Sequence, residues 1–225
     1  MISRVQRMAK SSSKSRRTVL TLGIGAAFLA VSGIVPAGKA MAQPAEAQAI
    51  ADHFSSVKTM MGDFVQFGPG GEQTGGKFFI ERPGKVRFNY ENPSTFKVTA
   101  DGNSVVLEND RMNTADLYSL SSTPLKLLLD ERIDLSGSKV QDVRQEADAT
   151  TITLADRSVF GNSTITMMFD PQNYELKQWT IRDAQGKDTT VMIFNVQQGV
   201  TFDPSVFAID NRKVQEMQKR NHNRN

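Results

Sequence analysis

The chain of 225 residues lacks cysteine altogether and has only two histidines. Without cysteine it can form no disulfide, no thiolate metal site and no catalytic thiol, and nothing can carry a lipid anchor at a cleavage site. His222 lies near the end of the chain, and no triad pattern accompanies His53. We therefore expect a protein that is not an enzyme and that binds no metal and no cofactor.

Long hydrophobic runs are also scarce, and the one uncharged run, from Val19 to Val35, is shorter than the ~20 apolar residues of a membrane span. Six basic residues between Arg4 and Arg17 precede this run, and Ala40-Met41-Ala42 follows it. The pattern predicts a cleaved export signal over residues 1–42 and a periplasmic protein, with an uncleaved anchor as the alternative. Because Arg16-Arg17 is typical of twin-arginine signals, both this route and the general secretory route stay open.

The remainder of the chain has no excess of positive charge. Residues 43–225 keep 20 of the 27 basic residues against 24 acidic ones, a net charge of −4. This balance excludes a basic surface for nucleic acids. Only residues 212–225 are locally basic, and their few apolar residues predict a disordered tail, with a docking role as the alternative.

Residues 43–211 predict one mainly β domain. An apolar stripe of Ile50, Phe54, Val57 and Met61 indicates a helix from Pro44 to Met60. About eleven short alternating segments follow, joined by tight turns, and they predict an antiparallel sheet that curls into a barrel or a half-open barrel. A second, short helix begins after Thr123-Pro124 and must dock its leucines onto the sheet to be stable. We expect Leu125, Leu128 and Leu129 to form this lid helix.

Alternation along the strands predicts which side chains face the interior. This set is rich in aromatic residues and methionine, so it could leave room for a flexible apolar ligand, although a solid core is an equal alternative. The predicted interior residues are Phe78, Ile80, Val86, Phe88, Tyr90, Phe96, Val98, Val105, Leu107, Ile165, Met167, Phe169, Met192 and Phe194. Arg82 lies between two of these strands, where it either caps a turn in solvent or reaches over the apolar face.

From Ile50 to Ile209 the chain resembles the periplasmic lipoprotein carriers of the LolA family. The order and spacing of several short motifs carry the likeness, rather than any single motif. These motifs are Phe64-Val65-Gln66, Gly76 with Phe78-Phe79-Ile80, Arg82-Pro83-Gly84, Val86 with Phe88, Tyr90 and Pro93, Asp101-Gly102-Asn103, Thr123-Pro124 with Leu127-Leu128, and Phe202-Asp203-Pro204.

The resemblance implies an incompletely closed antiparallel β-barrel covered by short lid helices, with an apolar cavity for the acyl chains of outer-membrane-directed lipoproteins. It further implies that cargo comes from an inner-membrane LolCDE-type ABC transporter and passes to an outer-membrane, LolB-like acceptor. Arg82 matches the family arginine that hydrogen-bonds lid carbonyls and holds the empty cavity shut. The chain departs from the family pattern at Glu81, where lysine is common, and at Phe88, where tryptophan is common.

Three other functions compete with that of a carrier, which we expect to be a monomer. A LolB-like acceptor would itself be a lipoprotein, and the absence of cysteine argues against it. A periplasmic lipid-binding sensor or regulatory module of the same fold is the main alternative, although such proteins usually carry a further domain. A lipid-modifying enzyme would need a nucleophile and base that the sequence does not offer.

Overall fold

The computed structural model describes residues 44–135, 139–155, 157 and 161–222, so the predicted export signal lies outside the described residues. The helices are α1 (Pro44–Ser56), α2 (Leu125–Leu129) and α3 (Asn211–His222), with 3-10 turns at Leu120–Ser122 and Pro204–Phe207. The strands are β1 (Thr59–Phe67), β2 (Gln73–Glu81), β3 (Lys85–Tyr90), β4 (Phe96–Asp101), β5 (Ser104–Asn109), β6 (Thr114–Ser119), β7 (Val140–Gln145), β8 (Thr150–Ala155), β9 (Thr164–Phe169), β10 (Leu176–Arg182) and β11 (Asp188–Gln198). None of these helices is long and apolar enough to cross a membrane.

All eleven strands belong to one antiparallel sheet that does not close. Their order is β6-β5-β4-β3-β2-β1-β11-β10-β9-β8-β7, so β1 and β11 pair at the centre while β6 and β7 form the two edges. Consecutive strands are neighbours from β1 to β6 and from β7 to β11, whereas β6 and β7 are separated by the long segment that contains α2. In the short turn between β4 and β5, Asp101 accepts hydrogen bonds from the backbone of Asn103 and Ser104 at 2.9 and 2.8 Å. This confirms the predicted mainly β architecture and the incompletely closed sheet.

One face of the sheet carries the core, and α1 and α2 lie against it. Phe78 and Ile80 of β2 and Val86 of β3 are fully buried, as their alternation predicts. The same cluster contains Phe88, Val105, Ile165, Met167 and Phe169, and it adds residues outside the predicted set such as Phe64, Trp179 and Val191. Tyr90, Val98 and Leu107 are partly buried and pack against this cluster, and Phe96 is partly buried against the Tyr90 ring at 5.8 Å.

The prediction that Met192 and Phe194 face the interior is wrong. Both side chains are about 45% exposed, with Met192 at 45% and Phe194 at 46%, whereas Val191 and Ile193 are buried. Residues 191–194 are all apolar, so the alternation that assigned the other strands carries no information here. A bulge in β11 opposite Gly62 further shifts the register, because Met61 pairs with Gln197 but Asp63 pairs with Phe194.

The first helix is shorter than predicted. It ends at Ser56, and the chain enters β1 at Thr59, which buries Met60 rather than Met61. The hydroxyl of Ser56 donates to the carbonyl of His53 at 2.6 Å, a local bond that competes with continued helix. Val57, predicted as part of the helix, lies in the link between α1 and β1, where it is partly buried against the core.

The prediction of a disordered tail is also wrong for residues 212–222, which belong to α3, and residues 223–225 lie outside the described residues. Val214 and Met217 are three positions apart on this helix, and they pack with Val106 of β5 and Ala115 of β6 in a small second core. Lys213 adds salt bridges to Glu108 at 2.8 Å and Asp110 at 3.2 Å. This contact covers the face of β5 and β6 that points away from the main core, because Val106 alternates with the interior residue Val105.

Candidate functional site: a lidded apolar interior

The apolar face of the sheet is covered by side chains from both lid helices. Ile50 and Phe54 of α1 and Leu128 and Leu129 of α2 are at most 2% exposed and belong to the main core cluster. The ring of Phe54 makes an edge contact with Phe169 of β9, with ring centres 5.5 Å apart. The interior is therefore closed over by the helices rather than open to solvent.

Helix α2 has five residues, too few for a helix that is stable alone. It follows Pro124, whose φ of −58° is already helical, and the hydroxyl of Thr123 bonds the Leu120 carbonyl at 2.9 Å. Leu128 and Leu129 are buried as predicted, Leu127 is buried as well, and Leu125 is partly buried. Docking of these leucines is what holds the helix in place.

The segment after α2 is tied to α1 by side-chain to backbone bonds. Gln48 donates to the carbonyl of Ile133 at 2.9 Å and accepts from the backbone N–H of Leu135 at 2.8 Å. The hydroxyl of Ser55 accepts from the N–H of Ile133 at 3.1 Å. Since these bonds satisfy backbone groups of Ile133 and Leu135, α1 and the α2 segment form one connected lid.

Arg82, at the turn that follows β2, binds both parts of this lid. Its guanidinium donates to the carbonyl of Val57, just beyond α1, at 2.8 Å and to the carbonyl of Leu128 in α2 at 3.2 Å. The backbone N–H of Arg82 donates to the carbonyl of Lys58 at 2.7 Å, and the backbone N–H of Gly84 donates to the carbonyl of Leu129 at 2.9 Å. The last carbonyls of a helix have no partner within it and carry partial negative charge, so a cation fits there.

Gly84 is required at this turn. Its φ is +79°, and a Cβ there would lie 2.9 Å from the Cα of Gly102 and 3.3 Å from a side-chain carbon of Leu120. Any other residue would be strained and would displace the adjacent hairpin. Glycine therefore lets the turn approach closely enough for its N–H to reach the Leu129 carbonyl.

Within the part of the chain that the structure describes, no carboxylate pairs with the buried charge of Arg82, and its Nε atom has no hydrogen-bond partner. The residue is 5% exposed, and burial lowers the pKa of its guanidinium to about 10. Its guanidinium carbon lies 4.1 Å from the ring centre of Phe54, a cation–π contact. Because desolvation of a charge is costly when no opposite charge offsets it, the net stabilisation of the closed lid by Arg82 is smaller than its two hydrogen bonds alone would give.

A gap opens in the sheet beside α1, between the start of β10 and the end of β11. The paired residues of these strands run from Arg182 with Asp188 to Gln178 with Met192, and no further. Beyond that point Leu176 pairs with β9, while Ile193, Phe194, Gln197 and Gln198 pair with β1. The resulting cavity has a volume of about 300 Å³. It is lined by His53, Phe54, Val57, Met60, Tyr174, Glu175, Leu176, Lys177, Ile193, Phe194, Asn195, Val196 and Gln198.

The position of Arg82 agrees with one of the two alternatives in the sequence analysis, whereas two other residues of the lid were not predicted from the sequence. Arg82 reaches over the apolar face to carbonyls of the lid, one of the two possibilities that the sequence left open. The roles of Phe54 and Gln48 in the lid were missed. Phe54 was expected only as part of an amphipathic stripe, and no pattern marks Gln48, since its partners are backbone groups 85 and 87 positions away.

Comparison with known proteins identifies the family. A model of the family described as outer membrane lipoprotein carrier protein LolA matches residues 55–210, more than half of the chain, so this chain belongs to the LolA family. The outer-membrane lipoprotein carrier protein of Methylococcus capsulatus is 26% identical over 161 residues, which cover 68% of this chain and 77% of that protein. The outer-membrane lipoprotein carrier protein of Chromobacterium violaceum is 26% identical over 179 residues, which cover 75% of this chain and 86% of that protein.

Among solved structures, a LolA superfamily protein from Nitrosomonas europaea aligns with a TM-score of 0.42 and 10% identity, covering 73% of this chain and 98% of that chain. Helix α3 begins at Asn211, directly after the last residue that the family model matches. Helix α2, the eleven strands and Arg82 all lie within the matched part, whereas most of α1 precedes it.

Proposed function

We propose that this protein is a periplasmic carrier that covers the acyl chains of lipoproteins released from the inner membrane and delivers them to the outer membrane. Membership of the LolA family supports a role in lipoprotein transport. The observation that carries the proposal is the contact of Arg82 with the carbonyls of Val57 and Leu128, because it holds a lid over an apolar interior with few polar bonds.

The energetics of acyl chains explain why such a lid is useful. Burial of an acyl chain contributes about 0.8 kcal/mol per CH₂, so a chain of roughly sixteen carbons gains on the order of 12 kcal/mol. A carrier with a permanently open apolar cavity would bind its cargo too tightly to release it. When the lid must open first, the free energy of opening reduces the affinity for cargo, and reclosing of the lid favours release.

The interior residues are suited to rearrangement on loading. The core cluster contains Phe64, Phe78, Phe88, Phe169 and Met167. Aromatic rings within it are in contact, with ring centres 5.0 Å apart for Phe64 and Phe88 and 6.4 Å apart for Phe78 and Phe88. Movement of α1 and α2 away from this face would expose a continuous aromatic surface to a chain. In this proposal the same residues form the core of the empty protein and the cavity wall of the loaded one.

The remaining partners follow from the same role. We propose that an ABC transporter of the LolCDE type supplies the cargo, since extraction of acyl chains from a bilayer requires energy and the periplasm has no ATP. An outer-membrane acceptor of the LolB type would receive it. The carrier would act as a monomer, because its own lid satisfies the apolar face.

The test is to purify the protein from periplasm and identify what co-elutes with it by mass spectrometry. A triacylated lipoprotein in stoichiometric amount supports the carrier role. Free fatty acid alone contradicts it and supports the regulatory alternative. A matched purification of Arg82→Leu, in which we expect cargo to accumulate, shows whether the co-eluting molecule occupies the lidded site.

A further inference from the structure

The gap between β10 and β11 extends from the surface of the protein to buried residues of the main core cluster. Its inner wall is formed by Phe54, Leu176 and Ile193, which are buried members of the main core cluster. Its outer rim includes Phe194, at 46% exposure, and the exposed residues Asn195 and Gln198. Because β10 and β11 no longer pair here, side chains rather than a backbone ladder separate the interior from solvent.

The lining of the gap changes from apolar inside to polar outside. Val57, Met60 and Val196 continue the apolar wall, and all three are buried or partly buried against the core. At the rim, Lys177 pairs with Glu175 at 2.9 Å, and the ring of His53 makes an edge contact with Tyr174 at 5.9 Å. This order of chemistry suits an amphiphile that is aliphatic at one end and carries hydrogen-bond acceptors at the other, as an esterified acyl chain does.

The size of the gap suits a single chain. A volume of about 300 Å³ is at the lower end of the range found for small-ligand pockets, roughly 300 to 1,000 Å³. It can hold one slender aliphatic segment but not the several chains of a whole lipoprotein anchor. The rest of the anchor would have to lie elsewhere, under the displaced lid.

The gap also shares a wall with the lid contact. Phe54 lines the gap on one side, while the guanidinium of Arg82 lies over its ring at 4.1 Å. A chain that pushes the Phe54 ring would therefore disturb the cation–π contact. The same guanidinium makes the hydrogen bonds to Val57 and Leu128, so occupation of the gap acts directly on the lid.

We propose that the gap between β10 and β11 is a binding subsite for one acyl chain of the cargo, with the ester end of the chain at the Lys177 rim and its aliphatic part against Phe54 and Ile193. This inference rests on the proposed carrier function and adds the place where a chain enters while the lid is still closed. The subsite is separate from the face beneath α2, because α2 contributes no residue to the lining of the gap.

The absence of cysteine allows a direct test by thiol protection. Val196→Cys places the only thiol of the chain in the gap, and Val65→Cys, on the paired strand β1, places it outside the gap. Each full mature chain is mixed with a synthetic triacylated lipopeptide, binding is measured by co-elution, and the rate of reaction with N-ethylmaleimide is compared with and without lipopeptide. We expect protection of about tenfold or more at position 196 and none at position 65, because a covered thiol is shielded from the reagent.

The outcomes separate the two proposals. If the lipopeptide co-elutes and position 196 reacts as fast as before, or both positions are equally protected, the chain does not enter the gap and the subsite is wrong, while the carrier role stands. If no lipopeptide co-elutes with the wild-type protein, the carrier role fails and the subsite fails with it. A second variant, Val196→Glu, places a carboxylate in the gap and should weaken lipopeptide binding by about tenfold, or roughly 1.4 kcal/mol, with Val65→Glu as its control.

Discussion

The guanidinium carbon of Arg82 lies 4.1 Å from the ring centre of Phe54, so a cation at the end of β2 rests on an aromatic side chain of α1. The same guanidinium donates to a carbonyl beyond α1 and to one within α2. One side chain thus joins the sheet to both parts of the lid. Since its charge is buried without a carboxylate partner among the described residues, small changes around it should shift the balance between closed and open lid.

The first prediction concerns the Arg82→Leu variant. Loss of the guanidinium removes two hydrogen bonds of the closed, empty state, and hydrogen bonds to a charged group contribute about 1.5 to 3 kcal/mol each. We expect this variant to take up lipoprotein as the wild type does but to release it more slowly to acceptor membranes. Transfer of a purified, loaded lipoprotein to outer-membrane vesicles measures the effect.

Arg87→Leu is the matched control for this experiment. Arg87 lies on the neighbouring strand β3 and also donates to a carbonyl, that of Val206 at 2.9 Å, but this contact is with the segment before α3 and not with the lid. We expect it to transfer cargo at the wild-type rate. Equal transfer by wild type and Arg82→Leu would show that Arg82 does not control release.

The second prediction concerns packing around Phe54. Phe54→Ala removes a ring that is 2% exposed and contacts Phe169, so it should lower the free energy of unfolding by about 3 to 5 kcal/mol. Phe194→Ala removes a ring that is 46% exposed and should change the free energy of unfolding by less than about 1 kcal/mol. Urea unfolding followed by Trp179 fluorescence measures both. A large effect at Phe194 would contradict its placement on the outer face.

The sequence was most informative where burial alternates. On β2 and β3, apolar side chains at every second position identified Phe78, Ile80, Val86 and Phe88 as interior residues, and all are at most 6% exposed. On β11, four successive apolar residues left two registers equally possible, and the burial of Val191 and Ile193 depends on pairing with β1 and β10. Which residues of β11 face the core therefore depends on how β11 pairs with its neighbours, and the sequence of β11 alone does not specify it.

The site could be predicted only in part for a similar reason. A charged residue beside an apolar face marked Arg82, but its acceptors are backbone carbonyls, which every residue possesses. The gap beside α1 arises where a ladder ends, and no residue type signals that event. The start of helix α3 does carry a sequence signal, because Asp210 is a typical N-cap residue. Its side chain accepts from the N–H groups of Arg212 and Lys213 at 3.0 and 3.1 Å. The many charged residues of α3, however, obscure its short apolar stripe.

The third prediction concerns α3. Met217→Ser places a hydroxyl in the small core formed with Val106, Ala115 and Val214, and should lower the free energy of unfolding by about 1 to 3 kcal/mol. Gln218→Ser, at the adjacent exposed position, should have little effect. Because α3 makes no contact with the lid in this cluster, binding of lipopeptide should be unchanged in both variants. Loss of binding in Met217→Ser at a temperature where it is folded would show that α3 contributes to the site.

The fourth prediction concerns Tyr90, whose hydroxyl donates to the side-chain carbonyl of Gln66 at 2.6 Å. Burial raises the pKa of the Tyr90 phenol to about 12, and this outweighs the lowering of the pKa by the Gln66 bond. An unfolded tyrosine has a pKa of about 10, so above that pH the unfolded chain loses a proton that the folded chain retains. Stability from this group is therefore fully present below about pH 10 and is lost as the pH rises towards 12.

The difference between wild type and Tyr90→Phe isolates this effect. Burial lowers the pKa of Arg82 to about 10, so the contribution of Arg82 to the free energy of unfolding rises with pH over the same range. Because Arg82 is present in both proteins, this contribution cancels in the comparison. We expect the free energy of unfolding in urea to fall more steeply in wild type than in Tyr90→Phe between about pH 9 and pH 11. Parallel curves would mean that the Tyr90 phenol ionises as readily in the folded protein as in the unfolded chain, and that this part of the aromatic interior is open to water.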